Sequence, residues 1–176
     1  MKFIAKVLIV FAIVCYALGI YLIWERNNPN RLALGYEASY KDVDIANTPT
    51  RIIIRDVGID LPLYPARAKN GKWETTSKGA SYLVSSPIPG EVGNSVIYAH
   101  DWASLFGQLL NVHTGNTVEV DYADKTRKIF VVKSTLIVPY SQSSVLDSTR
   151  DRRITLYTCT GFFDSQRFVA VALLKN

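Results

Sequence analysis

The chain has 176 residues, enough for one domain with a real core. Of its 20 basic residues two, Lys2 and Lys6, lie at the N-terminus, which leaves 18 against 15 acidic residues elsewhere. That mild excess, with its one short basic run (Arg150, Arg152, Arg153) broken by Asp151, excludes a nucleic-acid footprint, so no nucleic-acid partner is expected.

Residues 3–24 read FIAKVLIVFAIVCYALGIYLIW, and residues 7–24 carry no charge. As a helix that uncharged run is about 27 Å long, close to the hydrocarbon thickness of a bilayer. Tyr21 and Trp24 stand at its far end, where amphipathic rings favour the membrane interface. Lys2 and Lys6 precede the run, which predicts a single pass through the cell membrane, a cytoplasmic N-terminus and an extracytoplasmic domain. A cleaved signal peptide is the competing reading. The run exceeds a usual signal core, however, and no small-x-small cleavage site follows Trp24. The expected organisation is an anchor over residues 1–24, a linker over 25–50 bracketed by Pro29 and Pro49, and a folded domain over 51–176. A helical turn is expected within the linker, at 31–40.

From Arg51 onward the pattern changes to short β-branched runs. Strands are predicted at 51–57, 59–64, 81–85, 94–100, 117–122, 128–138, 153–159 and 167–174. Turn chemistry separates them at Asn70-Gly71, at 87–93, at Gly115-Asn116 and at Asp124-Lys125. Many short strands with little helix predict an all-β domain closed into a barrel. The exception is 102–112, where Leu105, Phe106, Leu109, Leu110 and Val112 have the spacing of a short helix or 3₁₀ turn. The last strand is apolar on both faces, as in a strand buried on both sides, so Arg167 at its start needs a partner or a substrate.

Only two cysteines are present, Cys15 inside the apolar run and Cys159 in the folded domain. If the run crosses a membrane the two sulfurs cannot meet, and Cys159 is either a buried bystander or a nucleophile. A thiol becomes a strong nucleophile beside a histidine or a cation, and acyl transfer also needs a donor for the developing oxyanion. His100, Cys159 and Arg167 are the residues that supply these roles, each at a predicted strand end. His113 is the alternative histidine and reads as a solvated loop residue. Trp73 and Trp102 are aromatic candidates for a groove, with packing as the plainer reading.

The segment TLYTC at 155–159 resembles the Thr-Leu-x-Thr-Cys signature of the sortase family. Arg167, eight residues after Cys159, matches the family's arginine. Residues 89–100, PGEVGNSVIYAH, resemble the stretch that carries the family's histidine, and FGQLLNVHTGNTVEV is similar to its Phe-x-x-Leu-x-x-Leu-x-x-Gly-Asp-x-Val run. RIIIRDVGIDLPLY resembles its opening strands. The departures are Ala99 before the histidine, Asp101 after it and Asn116 after Gly115. The resemblance implies an eight-stranded β-barrel and a cysteine transpeptidase. Cys159 is then the nucleophile, His100 the acid-base group, Arg167 the oxyanion or substrate donor, and Thr158 a residue lining the substrate site. It also implies secreted partner proteins with an LPxTG-like sorting signal, and an acceptor amine from peptidoglycan or a pilin. No cofactor is needed, and the acids show no calcium-loop spacing, so no metal is expected. A hydrolytic cysteine peptidase on the same barrel and a non-catalytic anchored barrel are the competing functions.

Overall fold

The apolar N-terminal run forms helix α1 (Lys2–Arg26) in the computed structural model, which describes residues 2–26, 48–69 and 72–175. Its span Phe3–Trp24 has 22 residues with a mean hydropathy of 2.6, and none of it is buried among the described residues. A helix that is apolar all round is suited to lipid. Together with the domain described below, it fits single-pass membrane anchoring. The helical turn expected at 31–40 lies outside the described residues.

Among the described residues ten strands follow: β1 (Pro49–Ile54), β2 (Ile59–Ala66), β3 (Ala68–Lys69), β4 (Lys72–Trp73), β5 (Ala80–Leu83), β6 (Gly93–Tyr98), β7 (Thr117–Tyr122), β8 (Arg127–Pro139), β9 (Arg152–Thr160) and β10 (Gln166–Leu174). Eight of them close a barrel in the order β1-β2-β5-β6-β9-β10-β8-β7. The eight predicted strands are these eight. Two pairings in the ring are parallel, β2 with β5 and β6 with β9, and the others are antiparallel. Closure leaves no exposed sheet edge in the ring.

The interior follows from strand alternation. Val118, Val120 and Tyr122 of β7 point inward while Glu119 and Asp121 point out, where they bind Arg55 and Arg127. Ile52, Ile54, Phe130, Val132, Ile154, Leu156, Ala170 and Ala172 complete the filling. Each large aliphatic or aromatic side chain buried in this way contributes about 1.5–3 kcal/mol.

The segment predicted at 102–112 as a short helix or 3₁₀ turn holds a 3₁₀ helix, Phe106–Asn111, with Phe106 and Leu109 turned into the core. Two features differ from expectation. The strand predicted to reach residue 100 ends at Tyr98. The small hairpin β3-β4, which has no counterpart among the predicted strands, lies in the crossover between the parallel strands β2 and β5. A parallel pair cannot be joined by a tight turn, so such a crossover is obligatory.

Candidate active site

Strand register places the three candidate residues together. β10 runs antiparallel to β9 with Arg167 opposite Cys159. Directly opposed residues point to the same face with Cβ atoms about 4.5–5.5 Å apart. β6 runs parallel to β9 with Tyr98 beside Tyr157, and two residues further along each chain stand His100 and Cys159. The two-residue repeat puts Tyr98 and Tyr157 on the outer face of the barrel, and His100 and Cys159 at its upper end. All three side chains are nearly covered, Cys159 and Arg167 at 3 % exposure and His100 at 8 %.

His100 lies just past its strand and is held through its backbone on both sides. The Thr158 hydroxyl donates to the Ala99 carbonyl at 2.8 Å, and the Phe106 amide donates to the His100 carbonyl at 3.0 Å. The Trp102 ring stacks on the imidazole with centroids 4.7 Å apart and planes 13° from parallel. Gly107 lets the turn close: a Cβ there would sit 2.7 Å from the Asp101 carbonyl and 2.8 Å from that of Trp102. Thr158, expected to line the substrate site, is fully buried on the inward pleat, with its hydroxyl engaged behind the histidine.

Arg167 Nη1 donates to the carbonyls of Asp164 and Gln166, both at 2.8 Å. These bonds anchor the guanidinium to the β9-β10 loop. Phe163 and Asp164 in that loop have φ of 52° and 55°, the left-handed region that side chains rarely adopt. Phe162 and Phe163 stand exposed there, edge to face at 4.3 Å. Burial lowers the pKa of His100, while the charges of Asp101 and, more weakly, Asp164 raise it. Asp101 therefore favours the imidazolium that burial opposes. Among the described residues no group of three or more His, Cys, Asp or Glu side chains converges to hold a metal ion.

The face below the cysteine is paved and roofed. Tyr98 stacks on Tyr157 at 5.6 Å, and Trp73 from the β3-β4 hairpin meets them edge-on at 4.9 and 5.8 Å. The Tyr98 hydroxyl donates to the Glu74 carbonyl at 2.5 Å, which ties the crossover to the barrel wall. Beyond this roof the same face opens into a cavity of about 270 Å³ lined by Leu83, Ser86, Asn94, Val96 and Leu146. The Asn94 amide binds the Val145 and Asp147 carbonyls at 3.1 and 3.2 Å, which fixes the opposite wall.

Sequence reasoning named His100, Cys159 and Arg167 as candidates. It gave Trp73 and Trp102 alike as groove candidates, with packing as the plainer reading, and did not foresee the roof that Trp73 forms. The spacing of Trp102 from His100 was an available signal. The roof had none, because it depends on where a crossover lands. His113, the alternative histidine, is exposed in the turn before β7, its amide bonded to Asn116.

A family model described as Sortase domain matches residues 52–175. Sortase A of Listeria monocytogenes serovar 1/2a is 32% identical over 102 residues, 56% of this chain and 45% of that protein, so the match spans under half of the curated relative's length. Among solved structures, L. monocytogenes sortase A aligns with a TM-score of 0.60 at 26% identity, over 76% of this chain and 89% of that one. A lid mutant of sortase A from Corynebacterium diphtheriae aligns at 0.65 over 91% and 95% of the two chains, and at 20% identity shows the shared fold. With the family model running from the first barrel strand to the last and taking in His100, Cys159 and Arg167, the chain belongs to the sortase family.

Proposed function

We propose that the chain is a membrane-anchored cysteine transpeptidase acting on secreted proteins with an LPxTG-like sorting signal. The observation that supports this reading is the register: Arg167 lies directly across from Cys159, and His100 follows two residues past the end of the parallel neighbour strand, whose Tyr98 lies beside Tyr157. The Cys159 thiolate attacks the scissile carbonyl carbon, and Arg167 donates to the oxygen as negative charge develops on it. Collapse of that intermediate breaks the C–N bond, with the His100 imidazolium giving its proton to the leaving amine. The product is an acyl-thioester on Cys159. An incoming amine, from peptidoglycan or a pilin, attacks the thioester and gives its proton to neutral His100; the C–S bond breaks and the Cys159 thiolate leaves, which restores the thiolate–imidazolium pair. No step needs a cofactor. Transfer rather than hydrolysis requires that water be kept from the thioester, and the nearly complete cover over Cys159 supports that. On this reading α1 is the anchor and crosses the cell membrane once from a cytoplasmic N-terminus, which its apolar length supports.

The test is an acyl-enzyme trap on the full chain with a set of sorting-signal peptides, read by mass spectrometry at Cys159, with and without a short oligoglycine amine. An adduct on Cys159, absent in Cys159→Ala, and a new amide product with the amine are the expected results. His100→Ala and Arg167→Ala should each lower turnover by at least a hundredfold. Cleavage that no amine diverts would assign the barrel to a peptidase. Turnover that survives Cys159→Ala would end the nucleophile assignment.

A further inference from the structure

The end of the barrel opposite the cysteine carries a cavity that the proposed reaction does not use. The directions of the strands define that end: β6 and β9 both run toward His100 and Cys159, so Gly93 and Arg152 mark their far ends. β1 begins there too, with Pro49 opposite Tyr122 and the Thr48 carbonyl accepting from Ala123. The chain that comes from α1 therefore joins the barrel at the end away from the active site.

The cavity there measures about 480 Å³ and is lined by Gly90, Arg127, Lys128, Ile129, Arg152, Leu174 and Lys175. Four of these are cations and none is an acid. Arg127 is neutralised by Asp121 and Glu119. The other three have no such partner: among the described residues Lys128, Arg152 and Lys175 form no ion pair. Lys128 is held in place, its ammonium 4.6 Å from the Tyr122 ring centroid and 3.4 Å from the Pro89 carbonyl. Gly90 makes room for it, since a Cβ at that position, at a φ of +89°, would lie 2.4 Å from Lys128 Cδ. Asp124 senses the Lys128 charge, but its carboxylate is bonded to the Thr126 amide and hydroxyl at 2.9 and 2.6 Å and does not line the cavity. Ile129 and Leu174 supply apolar surface beside the cations. Three cations from two strands and the C-terminal end, over a partly apolar floor, match an anionic phosphate attached to something apolar.

We propose that this cavity binds the phosphate of an anionic lipid headgroup, and that it seats the barrel on the membrane with the active-site end facing away. The inference rests on α1 anchoring the chain and not on the transpeptidase chemistry, so the two fail separately.

The experiment uses the full chain in lipid nanodiscs of phosphatidylcholine alone or with one-third phosphatidylglycerol. Lysine acetylation rates are read by peptide mass spectrometry, with exposed Lys133 of β8 as the internal standard. Lys128 and Lys175 should acetylate at least fivefold more slowly in the anionic discs, and 0.5 M salt should remove the protection. In the R152Q/K175Q variant, whose exposed side chains make no ion pair among the described residues, Lys128 should lose its protection while the melting temperature holds. Equal rates in the two discs, equal slowing at Lys133, or protection that survives R152Q/K175Q would overturn the proposal. Equal protection by 10 mM inorganic phosphate in phosphatidylcholine discs would assign the cavity to a free anion and overturn the lipid assignment.

Discussion

Thr158→Val separates two roles that the residue could play. Valine keeps the β-branched shape, so packing on the inward pleat changes little, but the donor to the Ala99 carbonyl at 2.8 Å is lost. Ala99 is itself buried, and an acceptor left unsatisfied there costs about 1–3 kcal/mol. Taking about 2 kcal/mol, a domain of this size should melt roughly 6–10 °C lower. The carbonyl immediately precedes His100, so the same loss loosens the imidazole. A misplacement of up to about 1 Å lowers turnover by one to two orders of magnitude. The assay is urea unfolding for stability, with peptide turnover resolved into kcat and KM. A positioning role predicts a fall in kcat with KM unchanged. Thr158→Ser, which retains the donor, should restore most of kcat while costing about 1 kcal/mol for the missing methyl. A raised KM at constant kcat would place Thr158 against the substrate after all, and unchanged stability in Thr158→Val would refute the hydrogen-bond argument.

Trp73→Ala removes the roof over Tyr98 and Tyr157, and should cost about 3–5 kcal/mol while Cys159 alkylates at least tenfold faster in the folded protein. The milder Tyr98→Phe, which loses only the bond to Glu74, should move thiol reactivity the same way for about 1 kcal/mol; an unchanged alkylation rate in both variants defeats the roof reading. Burial lowers the His100 pKa, so stability owed to the neutral imidazole is full above the ordinary value of 6.5 and is lost as pH falls through the folded-state value. Asp101→Asn removes a charge that favours the imidazolium and should move the His100 midpoint, followed by NMR, further down; an upward move contradicts the assignment. Gly107→Ala drives a methyl into the Asp101 and Trp102 carbonyls and should cost about 1–3 kcal/mol together with turnover, as measured by urea unfolding and peptide cleavage, whereas an unaffected enzyme would show that the turn does not position His100.

Much of the barrel was legible from local pattern. Period-two alternation in TVEVDY and the triple isoleucine at 52–54 mark a half-buried strand and a buried one without reference to any neighbour. The 102–112 segment was legible as a short helix or 3₁₀ turn, and packing of Phe106 and Leu109 into the core selects the 3₁₀ form. The end of β6 was misjudged by two residues: Ala99 and His100 leave the ladder, and Thr158 and Phe106 take up their carbonyls instead. The β3-β4 hairpin carried no strand pattern of its own, being only two residues on each side.

By itself the sequence determined that there is an apolar helix long enough to cross a bilayer, that eight short strands follow, and that a histidine, a cysteine and an arginine sit at strand ends. These are properties of composition and short-range periodicity, which act within a few residues. Only the tertiary structure decided that the strand leading to His100 lies beside the strand carrying Cys159, because a parallel register between strands far apart in the chain is set by barrel closure and not by any local signal. The same holds for the Trp73 roof over the outer face and for the cations that Lys128, Arg152 and Lys175 bring to the far end. Each depends on which strands become neighbours, and packing the whole interior selects that.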